Sequence, residues 1–383
     1  MPSADLASAR VRSVKPSLIR ALHDARRPTS LNLGLGQPSL PVERAIIDAG
    51  LERLTRGDMG YTANAGLARL RTLIAERHAL PNAKTGDHVV VTCGAQEAIF
   101  AAMAALLDPG DELVLPDPIF PGYAMAAALL GVTCRTVTRY AANGFRLRSK
   151  DVENALTPQT KMVVVNSPCN PTGAIDTPEE CQQLAELAER RGLAILSDEI
   201  YSDLNYTGRP FVSPANFGDR TIVISGLSKN CAMTGFRLGY LVAPIHYVAA
   251  LTRAHAIATT CAPTLAQHMG EFVFEHPEWL TRSLPVYAQR RANALDAMRT
   301  NLPQIRCIEP EGAFYLFADF SDYTTDSLDF AMHILREADV ITSPGAAFGE
   351  AAPGWLRLSY AGEMETFTEG VVRIARFLTP LKA

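Results

Sequence analysis

The chain has 383 residues, a formal net charge of −4 and 48% hydrophobic residues. That length exceeds what one hydrophobic core organises, so a large domain with a smaller one is expected. The near-neutral balance offers nucleic acid or a membrane surface no electrostatic attraction, and apolar stretches such as Ala101 to Leu107 or Ala124 to Leu130 are far short of a membrane span. The first twenty residues, MPSADLASARVRSVKPSLIR, lack an uninterrupted apolar segment, so no secretory signal is expected and a cytoplasmic protein is. Seven cysteines (93, 134, 169, 181, 231, 261 and 307) are scattered without CxxC spacing, which reads as reduced thiols rather than disulfides or zinc. The eight histidines are equally dispersed, and no metal site is expected.

Taken in chain order, short runs rich in Val, Ile and Leu predict strands over His88–Thr92, Glu112–Leu115, Thr133–Val137, Met162–Val165, Leu193–Leu196, Thr221–Ser225 and Leu238–Val242. Between them lie helical patterns over Gln96–Leu107, Gly122–Leu130 and Pro178–Arg191, the last with Thr177 as N-cap. Such alternation predicts an α/β fold with a mostly parallel sheet. A long helix from Pro277 to Leu302 is then expected to lead to a second unit, with strands Arg306–Glu309, Ala313–Ala318 and Trp355–Ser359 and a terminal helix Glu363–Leu378. The first forty residues are expected to pack on that unit. The implied division is 1–45, an N-terminal segment; 46–275, the large domain; and 276–383, the small domain.

Five sites of chemical interest are picked out, most of them where candidate strands end, which is where open α/β sheets hold ligands. Gly94-Ala95-Gln96 opens an alanine-rich helix whose first N–H groups make an anion site, although a simple glycine turn reads equally well. Asn170 lies in the loop Asn166-Ser167-Pro168-Cys169-Asn170-Pro171-Thr172-Gly173, where its amide can donate to a phenolic oxygen or serve ordinary turn chemistry. Asp198 follows the strand Leu193–Leu196, with Tyr201 three residues on. A buried carboxylate there needs a cationic partner, either a pyridinium nitrogen or a nearby arginine. Lys229 stands four residues past the strand Thr221–Ser225; desolvated beside another cation, its amine becomes a nucleophile for a carbonyl. Arg237 follows eight residues later, its planar fork suited to phosphate or carboxylate, and Gly235 just before it suggests tight backbone approach. Arg357, flanked by Leu356 and Leu358, faces either solvent or a site.

These parts converge on one ligand with a phosphate, an aldehyde, a basic ring nitrogen and a ring oxygen. Pyridoxal 5'-phosphate carries all four.

The chain resembles the class I/II aminotransferases among the fold-type-I pyridoxal phosphate enzymes, over essentially its whole length. The resemblance rests on Gly36-Gln37-Pro38, Tyr61-Thr62 with Gly66, NPTG at Asn170 to Gly173, SDEIY at Ser197 to Tyr201, Ser228-Lys229, MTGFRLGY at Met233 to Tyr240, GAFY at Gly312 to Tyr315, PGAAFG at Pro344 to Gly349 and RLSYA at Arg357 to Ala361. It implies a large domain with a mostly parallel seven-stranded sheet between helices and a smaller α+β domain. It further implies that Lys229 holds the coenzyme covalently and shuttles the substrate proton, and that Asp198 keeps the ring nitrogen protonated. Tyr201 and Asn170 would bond the ring oxygen, Phe120 would stack on the ring, and Gly94, Ala95, Gln96, Ser228 and Arg237 would hold the phosphate. Arg357, helped by the Gly36 backbone and Asn170, would bind the substrate α-carboxylate. Tyr61 would reach the phosphate of a neighbouring subunit's coenzyme, which implies a homodimer.

Two positions depart from the family pattern. Gly226 stands where some relatives place a phosphate-binding serine, and Gln96 stands where similar prokaryotic aspartate aminotransferases place a lysine for the distal carboxylate. The latter weakens an aspartate assignment. The expected activity is transfer of an amino group from an L-amino acid to a 2-oxo acid, with 2-oxoglutarate as acceptor. The alternatives are a β-eliminating C–S lyase on the same coenzyme and a regulator that uses the fold as a sensor, for whose DNA-binding domain the short N-terminal segment leaves no room.

Overall fold

The computed structural model describes residues 7–57 and 59–382. Seven strands form the main sheet: β1 (Val89–Thr92), β2 (Glu112–Asp117), β3 (Thr133–Thr138), β4 (Thr160–Asn166), β5 (Ala194–Asp198), β6 (Thr221–Gly226) and β7 (Gly239–Val242). Their spatial order is β1-β7-β6-β5-β4-β2-β3. The strands from β6 to β3 run parallel, whereas β7 is antiparallel to both of its neighbours. The expected strands therefore form one mostly parallel sheet, several of them running one or two residues beyond the apolar run that marks them.

Alternate residues of the strands enter separate cores. Val90, Leu113, Met162, Leu196 and Ile224 lie in one; Val89, Val91, Val223 and Val242 lie in a second, and Val163, Val165 and Ile195 in a third. Burial of both faces explains why these strands read as continuous apolar runs. The helix Pro178–Arg191 begins at the expected Thr177, whose hydroxyl accepts from the Glu180 N–H while the Glu180 carboxylate accepts from the Thr177 N–H.

The second unit holds an antiparallel four-stranded sheet in the order β10-β11-β9-β8, with β8 (Arg306–Ile308), β9 (Tyr315–Asp319), β10 (Ser343–Pro344) and β11 (Trp355–Ser359). It packs with the helices Leu284–Asn301, Ser327–Ala338 and Met364–Leu378 around Phe314, Leu316, Ile334, Leu358 and Ile374. Leu22 and Leu33 of the N-terminal segment join that core, and Leu31–Asn32 pairs parallel with Val340–Ile341. The Ala9–Ser13 helix, however, lies against the Gly122–Leu130 helix of the large unit, and residues 1–6 fall outside the described residues.

Three other expectations are corrected. The helix expected over Pro277–Leu302 is two helices, Glu278–Thr281 and Leu284–Asn301, because Pro285 has no N–H and is accommodated only in the first turn of the second. The strand expected from Ala313 begins at Tyr315, since Ala313 has φ +60°. Gly235 has no atom within 4 Å of where a Cβ would be; the close approach belongs to Gly239, where a Cβ would lie 2.4 Å from the Gly94 carbonyl carbon. No helix among the described residues is long and apolar enough to cross a membrane.

Candidate active site

At the carboxyl ends of β4, β5 and β6, where the small unit closes over the sheet, lies a cavity of about 340 Å³. Gly36, Ala95, Gln96, Phe120, Asn170, Asp198, Tyr201, Ser228, Lys229, Arg237 and Arg357 all line it. Residues drawn from more than 300 positions of sequence are thus brought to one place.

Lys229 sits in the turn after β6 and donates from Nζ to the Gly36 carbonyl at 2.9 Å. Burial, then the nearby Arg357 charge, lowers its pKa to about 8, against a smaller opposing pull from Asp198. Gly36 has no room for a side chain, since a Cβ would fall 1.9 Å from the Tyr315 hydroxyl.

Asp198 ends β5, level with Asn166 on β4 and Ile224 on β6. It is 4% exposed, and burial raises its pKa. Its Oδ2 accepts from the Tyr123 hydroxyl at 2.6 Å and its Oδ1 from the Ile200 N–H at 3.1 Å. Among the described residues no arginine, lysine or histidine forms an ion pair with it. Of the two partners open to a buried carboxylate at this strand end, the nearby arginine is ruled out.

Asn166 accepts the Asn170 N–H at 2.8 Å, and Asn170 Oδ1 accepts from Arg357 Nη1 at 2.7 Å. The Asn170 carbonyl oxygen is thereby engaged, which leaves its NH₂ as the donor facing the cavity. Arg357 lies on β11 with Leu356 and Leu358 turned to the core, so the period of two turns its own side chain to the cavity rather than to solvent. It also donates from Nη2 to the Gly34 carbonyl and to Ser343 Oγ, stacks 4.3 Å from the Tyr315 ring centroid, and keeps a buried Nε without an acceptor. Tyr201 and Tyr315 share a 2.7 Å hydroxyl–hydroxyl hydrogen bond.

Opposite these groups, the helix Ala95–Leu106 starts at Gly94, which has φ +84° and no side chain to cap the first-turn N–H groups. A Cβ on Gly94 would strike the Arg237 guanidinium at 2.3 Å. Arg237 donates only to the carbonyls of Thr234 and Cys93, and no carboxylate pairs with it among the described residues. A cation and a helix N-terminus without a counter-anion make a phosphate cradle.

The profile of the family "Aminotransferase class I and II" matches residues 28–374. The chain is 33% identical to aromatic-amino-acid aminotransferase 2 of Thermococcus litoralis, over 98% of this chain and 99% of that one. It is 32% identical to an aspartate aminotransferase of Geobacillus stearothermophilus, over 96% and 98%. Among solved structures, a single mutant of Thermus thermophilus aspartate aminotransferase superposes with a TM-score of 0.90 at 32% identity, covering 97% of this chain and 99% of that one. The chain belongs to the class I and II aminotransferases. Like that family it depends on pyridoxal phosphate and acts on amino and 2-oxo acids.

The residues present fit that coenzyme: Arg237 and the Gly94 turn lack an anion, and the Asp198 carboxylate lacks a cation. The cavity of this aminotransferase also holds residues to which the amino-acid sequence assigned no role. Tyr123, Asn166, Tyr315, Ile19 and Leu35 line the cavity too. Asn166 was signalled by its place at the end of a strand, level with Asp198, and Tyr315 by the GAFY run. Tyr123, 75 residues from Asp198, carries no local signal. Two predicted residues are absent from the cavity wall: Gly94, which lies directly against Arg237, and Tyr61, which is 85% exposed and set apart.

Proposed function

We propose that this aminotransferase moves the amino group of an L-amino acid to 2-oxoglutarate by a ping-pong mechanism, in a cytoplasmic homodimer whose active sites each draw on both chains. The observation that carries the reading is the meeting of three groups in one cavity: an amine with its pKa lowered to about 8, a buried carboxylate without a cation, and a buried arginine with an unused donor.

Pyridoxal phosphate supplies an electron sink that makes the substrate Cα–H bond acidic. Lys229 would hold the coenzyme through its Nζ, and the same amine, when free, would serve as the base that moves the proton of the substrate Cα. Asp198 keeps a proton on the ring nitrogen; Tyr123 and the Ile200 N–H favour the ionised carboxylate against the burial that disfavours it. Asn170 and Tyr201 would donate to the ring oxygen, and Phe120 would cover the ring face. Gly94, Ala95, Gln96, Ser228 and Arg237 hold the phosphate. Arg357 binds the α-carboxylate shared by donor and acceptor, with Asn170 and the Gly36 backbone beside it. Tyr61 of the partner subunit reaches the phosphate from outside the chain, which accounts for its exposure here.

A panel of L-amino acids with 2-oxoglutarate, read as glutamate formed, tests this directly. Parallel double-reciprocal plots are expected for two half-reactions at one site. Pyruvate released from a cysteine conjugate without any 2-oxo acid would instead assign a β-eliminating lyase.

A further inference from the structure

Beside the Lys229 cavity lies a second and larger one, of about 740 Å³, and Ile19, Leu35, Gln96, Phe120 and Arg237 line both. Beyond that shared throat the walls are mostly apolar, with Val14, Phe100, Met125, Ala126 and Leu129 from the N-terminal segment and the helices Ala95–Leu106 and Gly122–Leu130, while Ser17, Arg20, His23, Cys93 and Glu97 supply the polar part. The volume lies within the range of small-molecule sites.

Few charges face this space, and His23 in its wall has its pKa lowered, chiefly by burial, which favours the neutral ring. Lys229, Arg237 and Arg357 serve the site described above. Glu97 accepts from the Cys93 N–H at 3.1 Å and lies 3.0 Å from the His255 ring. Arg20 is exposed on the helix Leu18–Asp24, where water screens it. The throat itself holds a neutral amide, Gln96, beside Arg237, whose guanidinium lies against the Gly94 turn of the phosphate cradle. A carboxylate pushed past it would lose water and gain no buried cation, whereas a ring or branched chain would exchange water for apolar walls.

Resting on the aminotransfer reading, we propose that this compartment receives the side chain of the amino donor, and that the donors are amino acids with bulky apolar side chains, phenylalanine and leucine before aspartate. The Gln96 amide can still donate one neutral hydrogen bond to the distal carboxylate of 2-oxoglutarate, so a dicarboxylate acceptor shares the site and glutamate reacts in the reverse half-reaction.

The test uses the holoenzyme with phenylalanine, leucine, alanine and aspartate as donors, and calorimetric binding of 3-phenylpropionate and succinate as non-reacting probes. Phenylalanine should exceed alanine and aspartate in kcat/KM by about tenfold or more, and 3-phenylpropionate should bind more tightly than succinate. Met125→Trp, which narrows the compartment, should lower kcat/KM for phenylalanine by about tenfold and weaken 3-phenylpropionate, while alanine turnover is unchanged. Aspartate outrunning phenylalanine, or an equal loss for alanine and phenylalanine in Met125→Trp, overturns the proposal. Failure of every amino acid to react overturns the aminotransfer reading instead, and the two probes then decide the compartment separately.

Discussion

The Tyr123 hydroxyl donates to Asp198 Oδ2 at 2.6 Å, in a contact buried from solvent on both sides. Through it the helix Gly122–Leu130 favours the ionised form of a carboxylate whose pKa burial raises. Removing the hydroxyl leaves Oδ2 short of a donor and drives the Asp198 pKa further up. Tyr123→Phe should therefore weaken coenzyme retention by about 1.5–3 kcal/mol, the range for a hydrogen bond to a charged group. Fluorescence titration of the coenzyme measures it, and retention equal to that of the parent enzyme would deny Tyr123 this part.

Asp198→Ala should slow the half-reaction far more than it lowers the melting temperature. The carboxylate pays a desolvation penalty in the folded chain, so its loss removes a cost to folding together with the proton holder of the ring nitrogen. Single-turnover kinetics beside a thermal melt separate the two effects. Near-parental rates would reduce Asp198 to a structural carboxylate.

Lys229→Ala should abolish turnover yet still bind coenzyme, because Arg237 and the Gly94 turn act independently of the amine. Borohydride reduction of the parent enzyme should fix the coenzyme to the peptide carrying Lys229. In the coenzyme-free protein, the rate of coenzyme attachment should rise with pH and level off above about 8. The sign follows from the lowered pKa: below that value the amine keeps its proton and cannot attack, whereas an unperturbed lysine would go on gaining reactivity to about pH 10.4. Labelling at another lysine, or a plateau only above pH 10, would reassign the site.

Arg357→Lys should raise KM for amino acid and 2-oxo acid alike. Lysine keeps the charge but loses the fork that now reaches Asn170, Gly34 and Ser343 while leaving Nε unused. A rise for one substrate only would separate Arg357 from the carboxylate they share.

Tyr61→Phe should weaken coenzyme binding by about 1.5–3 kcal/mol if its hydroxyl meets the phosphate across a subunit boundary. Lys229→Ala subunits mixed with Tyr61→Phe subunits should regenerate some sites that have both residues intact. A fully active monomer in sedimentation, or no complementation after proven subunit exchange, would end the shared-site reading.

The amino-acid sequence by itself determined what depends on neighbours along the chain. Apolar runs marked six of the seven strands of the main sheet because both faces are buried there, the edge strand β3 being largely exposed, and Thr177 with Glu180 marked a helix start because a capping box spans three residues. The same locality made the motifs around Asp198, Lys229 and Arg237 readable, since each is a short turn at a strand end. Tertiary structure decided the rest. Whether Arg357 faced solvent or the site depended on which face of β11 met the core, and the core of the small unit took Leu356 and Leu358. The partner of Asp198 is a tyrosine from another helix, and the tight glycine is Gly239 rather than Gly235, because β7 runs antiparallel beside β1 and brings it onto Gly94. Such contacts join residues tens to hundreds of positions apart. They are selected by packing volume and burial, which no local periodicity encodes.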